Sequence, residues 1–101
     1  MKEYKNQLGK YHRTDGPAVE WNDGDKSWYI NGKLHRTDGP AVELSNGTKY
    51  WFINGKCHRE DGPAVENING YKEFFLNDIS YSEEEFHQEI IKLKLKRLVE
   101  L

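Results

Sequence analysis

Hydrophobic and aromatic positions alternate with polar ones in short bursts over most of the chain, and turn residues bound each burst. Lys26–Ile30, Lys49–Ile53 and Lys72–Leu76 are such bursts. Apolar residues at every second position place successive side chains on opposite faces of a strand. Trp28, Ile30, Trp51, Ile53, Phe74 and Leu76 therefore share one face, and Tyr29, Phe52 and Phe75 form a row on the other. Shorter strands are predicted at Ala18–Trp21, Ala41–Leu44 and Ala64–Asn67.

The bursts repeat every 23 residues. His-Arg-Thr-Asp-Gly-Pro-Ala-Val-Glu occupies 12–20 and again 35–43, and it recurs at 58–66 with Glu60 in place of threonine. His12, His35 and His58 keep this register, as do Asp15, Asp38 and Asp61. Each unit carries two hairpin signals. Asp23-Gly24, Asn46-Gly47 and Asn69-Gly70 predict type I′ turns, whose two central residues take positive φ. Asn31-Gly32 and Asn54-Gly55 fold the aromatic strand back onto Lys33-Leu34-His35 and Lys56-Cys57-His58. Asn77-Asp78 is a weaker form of the same turn. Asp-Gly-Pro then ends each strand, because proline donates nothing to a ladder. Leu8-Gly9-Lys10-Tyr11 aligns with Asn31-Gly32-Lys33-Leu34, so 1–11 reads as a worn half-repeat that caps the first edge.

After Ser80 the pattern changes to a helical one. Ser82 and Glu85 form a capping box, and acidic residues early with Lys92, Lys94, Lys96 and Arg97 late match the helix dipole. A helix over about 83–99 follows. Phe86, Ile90, Leu93 and Leu101 lie on one side of it. Ile91, Leu95, Leu98 and Val99 lie roughly 150° round at about 100° per residue. Either the helix is a broad cap seated on both stripes, or one stripe docks and the other meets a second copy or a partner.

The chain thus reads as one mainly β domain over 1–101. A twisted antiparallel meander of three hairpin repeats (12–80) ends in a capping helix (81–101). Its 101 residues suffice for one modest core. Low hydropathy alone would suggest disorder, but three Trp, six Tyr and four Phe argue against it. Stacked units bury aromatics while leaving polar surface wet. No run reaches the roughly 18 apolar residues of a membrane helix, and Met1-Lys2-Glu3-Tyr4-Lys5 lacks a signal-peptide core. A single cysteine, Cys57, gives no disulfide framework. A cytoplasmic setting without a membrane role is the expectation.

The candidate chemistry is thin. Stacked histidines would sit roughly 10 Å apart, two strand spacings, too far for zinc ligands at about 2.1 Å. Their expected role is structural, an imidazole bonding the neighbouring turn while Asp15, Asp38 and Asp61 accept from turn amides. Cys57 and His58 point to opposite faces of a strand, so they make no nucleophile–base pair. His87 stands alone on the helix. No cofactor is implied, and no catalytic constellation emerges. An aromatic row beside arginines can stack bases, but the net charge is −2 and glutamates accompany the arginines, which argues against nucleic acid. The expected class is a protein-binding module, with a nucleic-acid or nucleotide binder on the same aromatic row as the alternative. The module's candidate surface is Tyr29, Phe52 and Phe75 with the singular Trp21, plus Ile91, Leu95 and Leu98 of the helix.

The unit spanning residues 31–51 resembles MORN repeats, and more closely the His-Arg-x-Asp-Gly-Pro-Ala variant of bacteriophages and giant viruses. The resemblance covers about residues 8–79. It implies stacked β-hairpins and a scaffold or interaction role. The viral branch implies a partner in the host, with inhibition or redirection of a host defence protein in the host cytoplasm, and a bacterial branch implies antitoxin-like binding. Arg13, Arg36 and Arg59 stand where ordinary MORN units have glycine, a departure from the family pattern.

Overall fold

A computed structural model describes residues 1–100. Leu101, expected on the first helix stripe, lies outside them. The strands are β1 (Lys2–Glu3), β2 (Val19–Glu20), β3 (Lys26–Ser27), β4 (Tyr29–Ile30), β5 (Lys33–Leu34), β6 (Val42–Glu43), β7 (Lys49–Tyr50), β8 (Phe52–Ile53), β9 (Lys56–Cys57), β10 (Val65–Glu66), β11 (Lys72–Leu76) and β12 (Ile79–Tyr81). Helix α1 (Glu83–Val99) follows. The mainly β architecture with one C-terminal helix is as the alternation predicts.

An eight-stranded antiparallel sheet runs β1-β2-β3-β6-β7-β10-β11-β12, and β4-β5 and β8-β9 form separate two-stranded ribbons. The predicted aromatic strand is therefore split in the first two units. Its first half pairs within the main sheet, and its second half leaves to pair with the following segment. The break falls on tryptophan. Trp28 N–H donates to Ala41 of the next unit at 2.7 Å, and Trp51 N–H donates to Ala64 at 2.8 Å. In the third unit no later repeat draws Phe74 aside, and β11 runs unbroken.

The two turn families differ. Asn31 and Gly32 take φ 50° and 81°, and Asn54 and Gly55 take 51° and 80°, the type I′ geometry expected. Asn77 and Asp78 also form it, at 50° and 68°. Asp78 tolerates the left-handed conformation because its carboxylate accepts from Cys57 N–H at 2.6 Å, beside the backbone bond Asp78 N–H to Cys57 O at 2.9 Å. The Asp23-Gly24, Asn46-Gly47 and Asn69-Gly70 turns are not type I′. Only their glycines take positive φ. Gly24 N–H donates to Trp21 O at 3.1 Å and Trp21 N–H to Asp25 O at 2.9 Å. That is a type I turn closed by a glycine bulge.

The molecule measures 43 × 36 × 19 Å, too thin for a deep interior. Its core is a line of small residues. Ala18, Ala41 and Ala64 are fully buried, with Val19 and Val65 beside them. The worn half-repeat caps the first edge as expected: β1 pairs with β2, and Tyr11 O accepts from Gly32 N–H at 2.8 Å, as Leu34 O does from Gly55.

Candidate functional site

The recurring polar residues hold the loops and turns of each unit in place. His12 Nδ1 accepts from Asn31 N–H at 3.0 Å, His35 Nδ1 from Asn54 N–H, and His58 Nδ1 from Asn77 N–H at the same distance. Each imidazole thus pins the type I′ turn that comes nineteen residues later, with its proton on Nε2. This is the structural role anticipated for the histidines.

The aspartates act differently from expectation. Asp38 Oδ1 accepts from Arg36 Nε at 3.0 Å, while Arg36 Nη1 donates to Pro40 O and to Glu43. Arg59 repeats the set with Asp61, Pro63 and Glu66. Arg13 bonds Asp15 and Pro17. Asp15, Asp38 and Asp61 therefore orient arginine instead of binding turn amides. The spacing explains the choice, because Arg-x-Asp folds the carboxylate back onto a guanidinium two residues earlier, and a fork–carboxylate bond is stronger than a neutral one.

Each guanidinium also sits over an aromatic ring of the preceding segment. Arg36 sits 3.9 Å from the Trp28 ring, Arg59 3.9 Å from Trp51, and Arg13 4.1 Å from Tyr4. Its other face meets the glycine of its own loop. A Cβ on Gly39 would stand 2.9 Å from Arg36 Cζ. The Arg-x-Asp-Gly sequence and the tryptophan of the unit before it are thus one stacked element.

Position 82 is where a fourth unit would bring its arginine, and Ser82 stands there instead. Its hydroxyl caps α1 by accepting from Glu85 N–H at 3.1 Å, and Glu85 returns the bond to Ser82 N–H at 3.0 Å. Phe86 then takes the missing guanidinium's place, its ring 4.8 Å from that of Phe74. Phe86, Phe74 and Leu76 are buried together, with Tyr81, Ile90 and Leu93 packed around them. Far along the helix, Arg97 grips Glu60 with both teeth of its fork, at 2.8 and 3.0 Å. His58 Nε2 lies 3.1 Å from the same carboxylate. Hydrogen bonding from Arg97 pulls the Glu60 carboxyl down to about 2, partial burial opposes it, and His58 adds to it.

Only one helix stripe docks, so α1 is not a broad cap seated on both. Ile91, Leu95, Leu98 and Val99 are 57, 58, 66 and 87% exposed. The other half of the expected surface is less open. Phe52 and Phe75 are half-buried against Cys57, Ala64 and Val65, and Tyr29 packs on Tyr11 with ring centres 5.2 Å apart. That row joins units together instead of standing free as a platform. Trp21 is exposed at the β2–β3 turn. Cys57 is buried where the pattern expected an apolar residue, and His87 is exposed.

No family model, curated protein or solved structure matches the chain. The site is therefore read from its own geometry. Two open grooves lie on the face opposite the half-buried row, and sequence reasoning missed them. One of about 690 Å³ has Trp28 and Ile30 as its floor, and the other, of about 740 Å³, has Trp51 and Ile53. Their walls are the Arg-Thr-Asp loops of successive units, and Thr37 and Asp38 line both. The anchor Glu60 was also missed, although it is the one departure from the nine-residue motif. Among the described residues no His, Cys, Asp and Glu side chains cluster to hold a metal ion. No helix among them is long and apolar enough to cross a membrane.

Proposed function

We propose that this chain is a non-catalytic protein-binding module, with the outer stripe of α1 as its main contact surface. The exposure of Ile91, Leu95, Leu98 and Val99 along one line carries this reading. Contiguous exposed apolar side chains on a small domain mark interaction sites. The repeated polar residues support it by being engaged within their own units and, through the arginines, on the ring of the preceding one, where they serve architecture and leave recognition to the singular parts of the chain. The resemblance to MORN repeats supports an interaction role, and its phage and giant-virus branch supports a host protein as the target, neutralised or redirected in the host cytoplasm.

The experiment is affinity capture with the tagged chain beside its Leu95→Glu variant, at low and high salt. The expected result is a stoichiometric protein held by the wild type at both salts and lost with the variant, while the two thermal melts coincide. Capture indifferent to Leu95→Glu overturns the stripe as the surface. Capture of nucleic acid that collapses as salt rises overturns the protein-binding class, because phosphate-driven binding weakens steeply with salt.

A further inference from the structure

Three grooves of one construction follow the repeat, and the molecule fills the third with its own helix. Phe86, Ile90 and Leu93, spaced i, i+4, i+7, cover Phe74 and Leu76 down to 8 and 6% exposure. In the first two grooves the equivalent floors, Trp28 with Ile30 and Trp51 with Ile53, stay half-buried. The outer stripe of α1 repeats the inner template. Ile91, Leu95 and Leu98 stand at the same spacing, five residues further on, and are exposed.

The one difference between the templates suits the open grooves. Isoleucine leads the outer stripe where phenylalanine leads the inner one. In the open grooves the Arg36 and Arg59 guanidiniums already lie on the tryptophan rings at 3.9 Å. An aliphatic side chain beside Ile30 or Ile53 fits there without needing that ring face. Charge does not oppose the fit. Lys92, Lys94 and Lys96 flank the outer stripe, while the grooves are bordered by the balanced pairs of Arg13, Arg36 and Arg59 with Asp15, Asp38 and Asp61, the carboxylates being the exposed members at 83, 84 and 85%. Two outer stripes laid on each other would bring the lysines of both copies together, which like-charge repulsion opposes.

We infer that the outer stripe of α1 seats in an open groove of a second copy, so that copies of this chain associate head to tail. The inference rests on reading the stripe as an interface, and it names the partner. Such a contact joins two different patches, unlike the self-complementary patch of a two-fold dimer. One stripe stays free at the end of each assembly, which still presents it to a further protein.

The difference between the two patches supplies the test. Thr37 is exposed and lines both grooves, so Thr37→Arg obstructs them with bulk and like charge while leaving the core alone. Leu95→Glu disables the stripe. Sedimentation velocity of the full chain at rising concentration should show the wild-type mass climbing above the monomer. Each variant alone should stay monomeric, and an equimolar mixture of the two should form a one-to-one dimer, since one supplies a stripe and the other a groove. A Thr37→Arg chain that still dimerises alone overturns the groove in favour of stripe-to-stripe pairing. A wild type monomeric at every concentration overturns self-association. In that case the thermal melt of Leu95→Glu separates the two failures. An unchanged melt leaves the stripe as a surface for another protein, and a large drop makes it core and removes the interface reading as well.

Discussion

Arg97 closes its fork on Glu60 across 37 residues of chain, at the single position where the third repeat departs from the motif of the first two. Thr14 and Thr37 occupy that position in the other units, and neither meets a helix. The departure is thus the repeat array's half of the latch that aligns α1, and His58 steadies it from behind.

The latch predicts an acid-sensitive helix end. The Glu60 carboxyl is held low in the fold, at about 2, so its bond to Arg97 is fully present above the ordinary carboxylate range. That stabilisation is lost as the pH falls from that range through about 2. Hydrogen exchange followed through an acid titration should show the last two turns of α1 loosening before Phe86 does. Glu60→Thr, which restores the repeat motif, should loosen them already at neutral pH and flatten the titration. Equal protection of both ends of α1 throughout would contradict the latch.

Arg36 makes a sharper prediction, because its side chain is only 21% exposed. It stacks on Trp28 and forks to Asp38, Pro40 and Glu43 at once. Lysine keeps the charge but offers neither the plane nor the fork. Arg36→Lys should therefore cost about 1–2 kcal/mol in urea unfolding. Gly39→Ala should cost about 1–3 kcal/mol by driving its Cβ into the guanidinium. Lys33→Ala, an exposed neighbour, serves as the control and should change little. Comparable losses in all three variants would mean that the stack contributes nothing specific.

Cys57 should be chemically quiet. Burial pushes its thiol up to about 11, with the charges of Asp78 and Glu73 adding to the effect. At neutral pH the reactive thiolate is then about a hundredfold scarcer than for an ordinary cysteine near 9. Alkylation by iodoacetamide should be correspondingly slow in the folded chain and should reach the normal rate in denaturant. A fast reaction in the native state would show that the β8–β9 ribbon opens readily.

The lines of the sequence that reported the fold well were those where local chemistry has one outcome. Period-two alternation can only be strand, Asn-Gly at 31–32 and 54–55 gave the turns expected, and Ser82 with Glu85 capped the helix as written. The misses fall where two outcomes share one local signal. Asp23-Gly24 suits a type I′ turn and a glycine bulge equally, and the choice is made by the bond from Trp21 to Asp25. Alternation says which face Trp28 occupies but not which strand its backbone serves, so the partner change there was invisible. Tyr29, Phe52 and Phe75 looked like a free platform because nothing in the sequence shows the units closing on Cys57, Ala64 and Val65. The grooves were hidden for a similar reason, since they exist only between loops 23 residues apart. Both helix stripes were legible, but only the vacancy over Phe74 decides which of them docks.

That decision yields the last prediction, a pair of variants on one helix with opposite consequences. Phe86 is 2% exposed and fills the place of the absent fourth arginine. Phe86→Ala removes a buried ring and opens a cavity over Phe74 and Leu76, which should cost about 3–5 kcal/mol. For a domain whose total stability is on the order of 5–15 kcal/mol, this leaves α1 undocked for much of the time. Leu95 points away from the repeats at 58% exposure. Leu95→Glu should stay within about 0.5 kcal/mol of the wild type, as surface substitutions do. Urea unfolding of the dilute chain, below the concentration at which copies associate, measures both. A small loss at Phe86 together with a large loss at Leu95 would mean that α1 seats on its other side, so that Phe86, Ile90 and Leu93 become the surface a partner meets.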